Sequence, residues 1–258
     1  VRLALVGILA AAALLSAVSR ADAREASATL QVALVPERLG QGTTIKFGFA
    51  LTGPHGTREL PPPVTALSLL YPRGFGFVTS GLGLASCTAN ELETHGPNGC
   101  PSRSLMGYGT ATGAIEVGHE IIDEEALTAV YMAPFANGEI ALLFDLEAYS
   151  PLSDDLIFDG RLLPARAPYG GSLTIAIPLI ESFPGGPNVA LRRLRSTIGP
   201  LGITYYSHIR GKFVPYHPNG IVLPHRCPPG GFPFAARFTF ADGGLLTARA
   251  IVHCPRKH

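Results

Sequence analysis

Tryptophan is absent from this chain, methionine occurs twice, and charged residues make up only 15% of the whole. Lacking Trp, the chain has no indole platform of the kind that stacks on sugar rings. Only Lys46, Lys212 and Lys257 accompany 17 arginines, and the formal net charge is +1. A chain this close to neutral carries no overall electrostatic footprint for nucleic acid or an anionic membrane. The cluster Arg192, Arg193 and Arg195 reads as a solvated strand face or turn. Catalytic signatures are missing as well: there is no G-x-S-x-G elbow, S-x-x-K, H-E-x-x-H or P-loop. Gly107, Gly109 and Gly113 are loosely spaced, but no helix follows to hold a phosphate, so a bent or bulged strand fits them better.

Long helices are excluded by the 30 glycines and 23 prolines that punctuate the chain. The one long apolar run is Leu3–Val18, about 16 residues and short of the roughly 20 needed to span a bilayer. Arg2 precedes it and Ala21-Asp22-Ala23 follows, the pattern of a secretory signal over residues 1–23 cleaved after Ala23. No Cys follows closely to take a lipid. Cleavage removes Arg2, Arg20 and Asp22 and leaves acids and bases equal in number. The expected product is secreted or envelope-associated, with no membrane span.

Between the breaks, apolar residues alternate. Leu30, Val32 and Leu34 share a face, as do Ile45, Phe47, Phe49 and Leu51. The pattern returns at Ile140–Leu146 and Leu173–Leu179. Period two marks half-buried strands. The clearest case is Phe232, Phe234, Phe238 and Phe240, followed by an Asp242-Gly243-Gly244 turn and then Leu246, Ala248, Ala250, Val252 and Cys254 in phase on the inward face: a β-hairpin. Many short strands between Gly/Pro turns argue for an all-β, antiparallel sandwich architecture. One short helix is expected over residues 88–95, where Thr88 and Glu91 form a capping box and Gly96-Pro97 ends it. The interruption at Pro164–Gly171 suggests two packed sandwich-like domains, 24–165 and 166–258.

Cys87, Cys100, Cys227 and Cys254 all lie after the leader. In an exported chain they read as two disulfides. Four cysteines allow three connectivities; local pairing is preferred because each pair then belongs to one expected domain. A metal site built from His217, His225, Cys227, His253 and Cys254 lacks the close ligand spacing of zinc sites. No metal, cofactor or catalytic residue is therefore assigned.

Two acidic groups remain. Asp145 and Glu147 share a strand face, with Asp154, Asp155 and Asp159 close behind. Such carboxylates could serve glycoside hydrolysis or hold Ca²⁺, though a solvated turn and strand surface is the simpler reading. Glu116, Glu120, Asp123, Glu124 and Glu125 read as a charged hairpin tip. Tyr205 and Tyr206 point to opposite faces, so with Tyr216 they cannot form a single sugar platform.

The segment Cys87–Gly109, together with Ser196–Tyr206, Arg226–Gly243 and Cys254-Pro255, resembles a group of exported actinobacterial proteins with no assigned activity. The resemblance implies a secreted, disulfide-bearing, β-rich protein and carries over no site residue. The expected role is non-enzymatic contact with a cell-wall, glycan or protein partner. The alternatives are a carbohydrate-active or calcium-dependent enzyme, or a glycan-binding module.

Overall fold

The structure is a computed structural model that describes residues 26–54, 59–77, 85–135, 139–150 and 153–255. The expected leader lies outside these residues. Among the described residues thirteen strands form one antiparallel sheet. Along the chain they are β1 (Ser27–Val35), β2 (Gly42–Thr52), β3 (Val64–Pro72), β4 (Gly76–Phe77), β5 (Leu105–Val117), β6 (Glu120–Met132), β7 (Ala141–Ser150), β8 (Asp154–Pro164), β9 (Tyr169–Ala176) and β10 (Ala190–Ile198). After a separate hairpin, β11 (Tyr205–Ile209) and β12 (Lys212–Tyr216), come β13 (Ile221–Val222), β14 (Phe232–Phe240) and β15 (Leu245–Val252).

The spatial order is β15-β14-β3-β9-β8-β7-β6-β5-β10-β2-β13-β4, with β1 paired to β2. β1 also lies alongside β15, so the two ends of the sheet meet and its walls face one another, sandwich-like. The alternating apolar residues point inward, except Leu179, which lies past the end of β9 and is exposed. Phe49 and Phe238 meet edge to face with ring centroids 4.9 Å apart, and Phe75 packs in the same manner on Phe232 and Phe234. These rings belong to one continuous core that draws on both halves of the chain.

Strands from 24–165 and from 166–258 interleave. β9 sits between β3 and β8, and β10 between β5 and β2. The Pro164–Gly171 interruption is the turn between the neighbouring strands β8 and β9, closed where Tyr169 N–H donates to Arg166 O. Proline and glycine there break a strand, not a core.

The expected helix is α1 (Ala89–His95). Its capping box is complete: Thr88 Oγ1 accepts from Glu91 N–H, while Glu91 Oε2 accepts from Thr88 N–H at 2.8 Å. These bonds stabilise the carboxylate form and hold the Glu91 carboxyl below its usual range. Disulfides join Cys87 to Cys100 and Cys227 to Cys254.

The first disulfide is buried and the second is not. Cys87 packs with Leu92, Tyr131, Ala133 and Leu143 in a small core on the outer side of the sheet. Cys254 is exposed and Cys227 half-buried, contrary to the expectation that Cys254 would continue the inward face of its strand. The ladder ends at Val252, and the chain leaves the sheet before reaching Cys254.

Candidate functional site

Six strands, β1, β2, β10, β5, β6 and β7, present an open groove of about 860 Å³ on their outer face. The pleat decides what lines it. Residues paired across ladders share a face, so Gln31, Gly48, Arg195, Thr110, Leu127 and Glu147 form one row across the six strands. The next row is Ala33, Lys46, Thr197, Tyr108, Ala129 and Asp145. Small residues at Ala33, Gly48 and Ala129 leave the floor open. Tyr108 stands up from it with 54% of its surface exposed.

Glycines on the inner side set the curvature. A Cβ at Gly109 would lie 2.1 Å from Arg195 O and 2.8 Å from Thr128 Oγ1, and one at Gly107 would lie 2.4 Å from Thr197 O. Only a residue without Cβ lets β5 and β10 approach this closely. Register shifts at Leu105/Gly107 and Leu191/Arg193 add bulges on the same two strands. The bent strand expected from the Gly107–Gly113 spacing is thus the bed of the groove.

One rim is the segment pinned by Cys87–Cys100, which contributes Pro97 and runs into Leu105. The small core beneath that segment buries Tyr131 and Leu143 and has Ala129 and Ile157 at its edge. Asp145 is paired to Ala129 on one side and Ile157 on the other, and only 5% of it is exposed. Burial, then the neighbouring Asp155, then Glu147, push its carboxyl up to about 6. Asp145 therefore holds its proton to a higher pH than an ordinary carboxyl, to about pH 6. Burial, followed by the charge of Asp145, pushes the Tyr131 hydroxyl upward in turn.

The other acidic candidates divide. Asp145 and Glu147 line the groove, and Asp155 stands opposite Glu147 on the same face. Asp159, opposite Leu143, shares that face farther along β8. Asp154 points the other way, into a separate recess of about 280 Å³ shared with Glu124. Burial, reinforced by Asp154, raises the Glu124 carboxyl. The expected charged tip is therefore only partly one: Glu116 and Glu120 flank the β5–β6 turn, whereas Glu124 is buried, Asp123 pairs with Arg192 and Glu125 accepts from Tyr149. Among the described residues no three His, Cys, Asp or Glu side chains are grouped to hold a metal ion. Cys227 and Cys254, ligands only in the less favoured metal reading, are joined to each other in a disulfide.

Arg193 and Arg195 are exposed on β10, as a solvated strand face requires, but Arg195 also lines the groove. Sequence reading missed Arg195, Lys46, Gln31 and Tyr108 as groove residues. Their polar-face positions in period-two strands were visible; their meeting depends on ladders between distant segments. A second outer groove, also about 860 Å³, crosses β3, β9, β14 and β15 and carries the exposed Arg166, Arg237 and Arg249. Between the walls of the sheet remains an apolar space of about 90 Å³ bordered by Val32, Phe47, Met106 and Met132. It has no polar group to orient a ligand.

No family model, curated protein or solved structure matches the chain. Among the described residues no helix is long and apolar enough to cross a membrane.

Proposed function

We propose that this is an exported, disulfide-stapled β protein that binds an envelope glycan in the outer groove of β1, β2, β10, β5, β6 and β7. One observation carries the reading. A half-exposed aromatic ring, Tyr108, stands on a floor of small residues and is ringed by donors and acceptors: Gln31, Lys46, Thr110, Arg195, Glu147 and Asp145. Sugars present apolar ring faces edged by hydroxyls, and a tyrosine face surrounded by amide, hydroxyl and charged groups complements both. An open groove admits a chain of sugars, where a closed cavity would take only a single small molecule. Export is supported by the two disulfides, which persist in oxidising compartments.

A glycan array that includes peptidoglycan fragments, probed with the wild type, Tyr108→Ala and Asp145→Asn, tests this. The wild type is expected to retain one glycan class, with Tyr108→Ala losing it. Silence across the array, or retention that survives Tyr108→Ala, overturns the reading.

Asp145 favours a second reading, glycan cleavage. A carboxyl that still holds its proton near pH 6 is suited to general acid work, and Glu147 lies two residues along on the same face. Incubation of the retained glycan with wild type and Asp145→Asn separates the two readings: shortened product from the wild type alone marks hydrolysis.

A further inference from the structure

We propose that the β11–β12 hairpin is an arm that docks the protein onto an anionic lipid bilayer surface. The hairpin is its own two-stranded sheet, outside the thirteen-stranded one. Its root is fixed. Tyr205 is buried, its hydroxyl donates to Leu105 O at 2.5 Å, and its ring packs on Tyr216 with centroids 5.7 Å apart. His217 Nδ1, 3.1 Å from Ile203 O, closes the base. Beyond the root, Tyr206 and every residue from His208 to Pro215 are exposed.

Its turn is Ile209-Arg210-Gly211-Lys212, with φ of 49° at Arg210 and 79° at Gly211. Positive φ at both central residues is the twist that suits a two-residue hairpin loop. The arm is thus a defined structure that ends in two cations.

Apolar side chains stay exposed on both of its faces. Tyr206 and Phe213 lie on one face, at 56% and 73% exposure; Ile209 and Val214 lie on the other, at 53% and 41%. A partner protein that covers one face leaves the other wet, whereas the fluid boundary of a bilayer surrounds a tip on all sides. Arg210 and Lys212 supply the charge complementarity. The net neutrality of the chain hides an asymmetry, because no Asp or Glu occurs between Glu181 and Asp242. Basic residues beside aromatic and aliphatic ones match anionic headgroups above acyl chains. The free edges of a two-stranded ribbon keep unpaired backbone groups, so the arm settles at headgroup depth and does not cross.

The test is co-sedimentation of the full chain with vesicles of equal parts phosphatidylglycerol and phosphatidylcholine, against phosphatidylcholine alone. The wild type is expected to partition onto the mixed vesicles and to release as salt is raised. Phe213→Ser with Ile209→Ser, and separately Arg210→Gln with Lys212→Gln, are expected to lose about tenfold or more in partitioning, with unchanged unfolding midpoints. Tyr108→Ala is expected to partition like the wild type, which separates this arm from the groove. Equal partitioning of wild type and hairpin variants overturns the proposal. So does absence of vesicle binding alongside a self-association that Phe213→Ser abolishes, since the arm then serves a second copy.

Discussion

Glu147 and Asp155 stand directly opposite one another on β7 and β8, two carboxylates on the same outer face. Like charges so placed destabilise a ladder, and Asp145 lies beside them, almost wholly buried. A fold that needed only a stable sheet gains nothing from this arrangement. Its cost falls on the groove wall, where a proton-exchanging group can meet a ligand.

The sign of that cost can be measured. Burial and the neighbouring carboxylates push the Asp145 carboxyl up to about 6 in the folded protein, above its ordinary value of 3.8, so the folded state holds more protons between those values. Stability should therefore fall as pH rises from about 4 to about 6. Asp145→Asn should remove this slope and raise stability at pH 7 by on the order of 1–2 kcal/mol, allowing for screening by water in the groove. Urea unfolding of both proteins at several pH values checks it.

The rim should control that proton. The core under Cys87–Cys100 covers the strand face on which Asp145 sits. Replacing both cysteines with alanine should cost on the order of 3 kcal/mol from loop entropy, with a further loss for the emptied space. Water then reaches Asp145, and its carboxyl should move back toward its ordinary value. Carboxyl-resolved NMR titration of the double variant reads this shift.

The two disulfides should open in order. Cys254 is exposed and Cys227 half-buried, whereas Cys87 is fully buried and Cys100 nearly so. A thiolate must reach the sulfur it attacks, so graded reductant should open Cys227–Cys254 first. Differential alkylation followed by mass spectrometry gives the order.

Gly109→Ala should be severe for so small a change. The new methyl would fall 2.1 Å from Arg195 O, with backbone on the other side of the contact. Prying β5 from β10 is expected to cost about 2 kcal/mol or more and to flatten the groove. Denaturant unfolding checks the first effect, and loss of glycan retention the second.

Much of this fold was legible in the sequence, and the reasons are local. Alternation alone placed Phe232, Phe234, Phe238 and Phe240 on one buried face, because the strand period is two whatever the neighbours are. Thr88 and Glu91 announced their helix through bonds three residues apart. What was hidden is non-local. The proline-rich break at 164–171 reads as a boundary until β9 is seen between β8 and β3. Asp145 looked like a surface charge because the cover beside it arrives from the Cys87–Cys100 segment, far off along the chain. Lys46, Tyr108 and Arg195 became neighbours only through ladders joining β2, β10 and β5. The hairpin arm did carry a local signal, Arg210-Gly211 between Ile209 and Lys212, which passes for an ordinary turn until its exposure is known.

The most direct measurement is amide chemical-shift mapping of the wild type with a soluble peptidoglycan fragment. The predicted result is a contiguous set of shifts across Gln31, Lys46, Tyr108, Thr110, Glu147 and Arg195 that vanishes in Tyr108→Ala. Shifts that gather elsewhere on the sheet, or none at saturating fragment, contradict a glycan-binding groove.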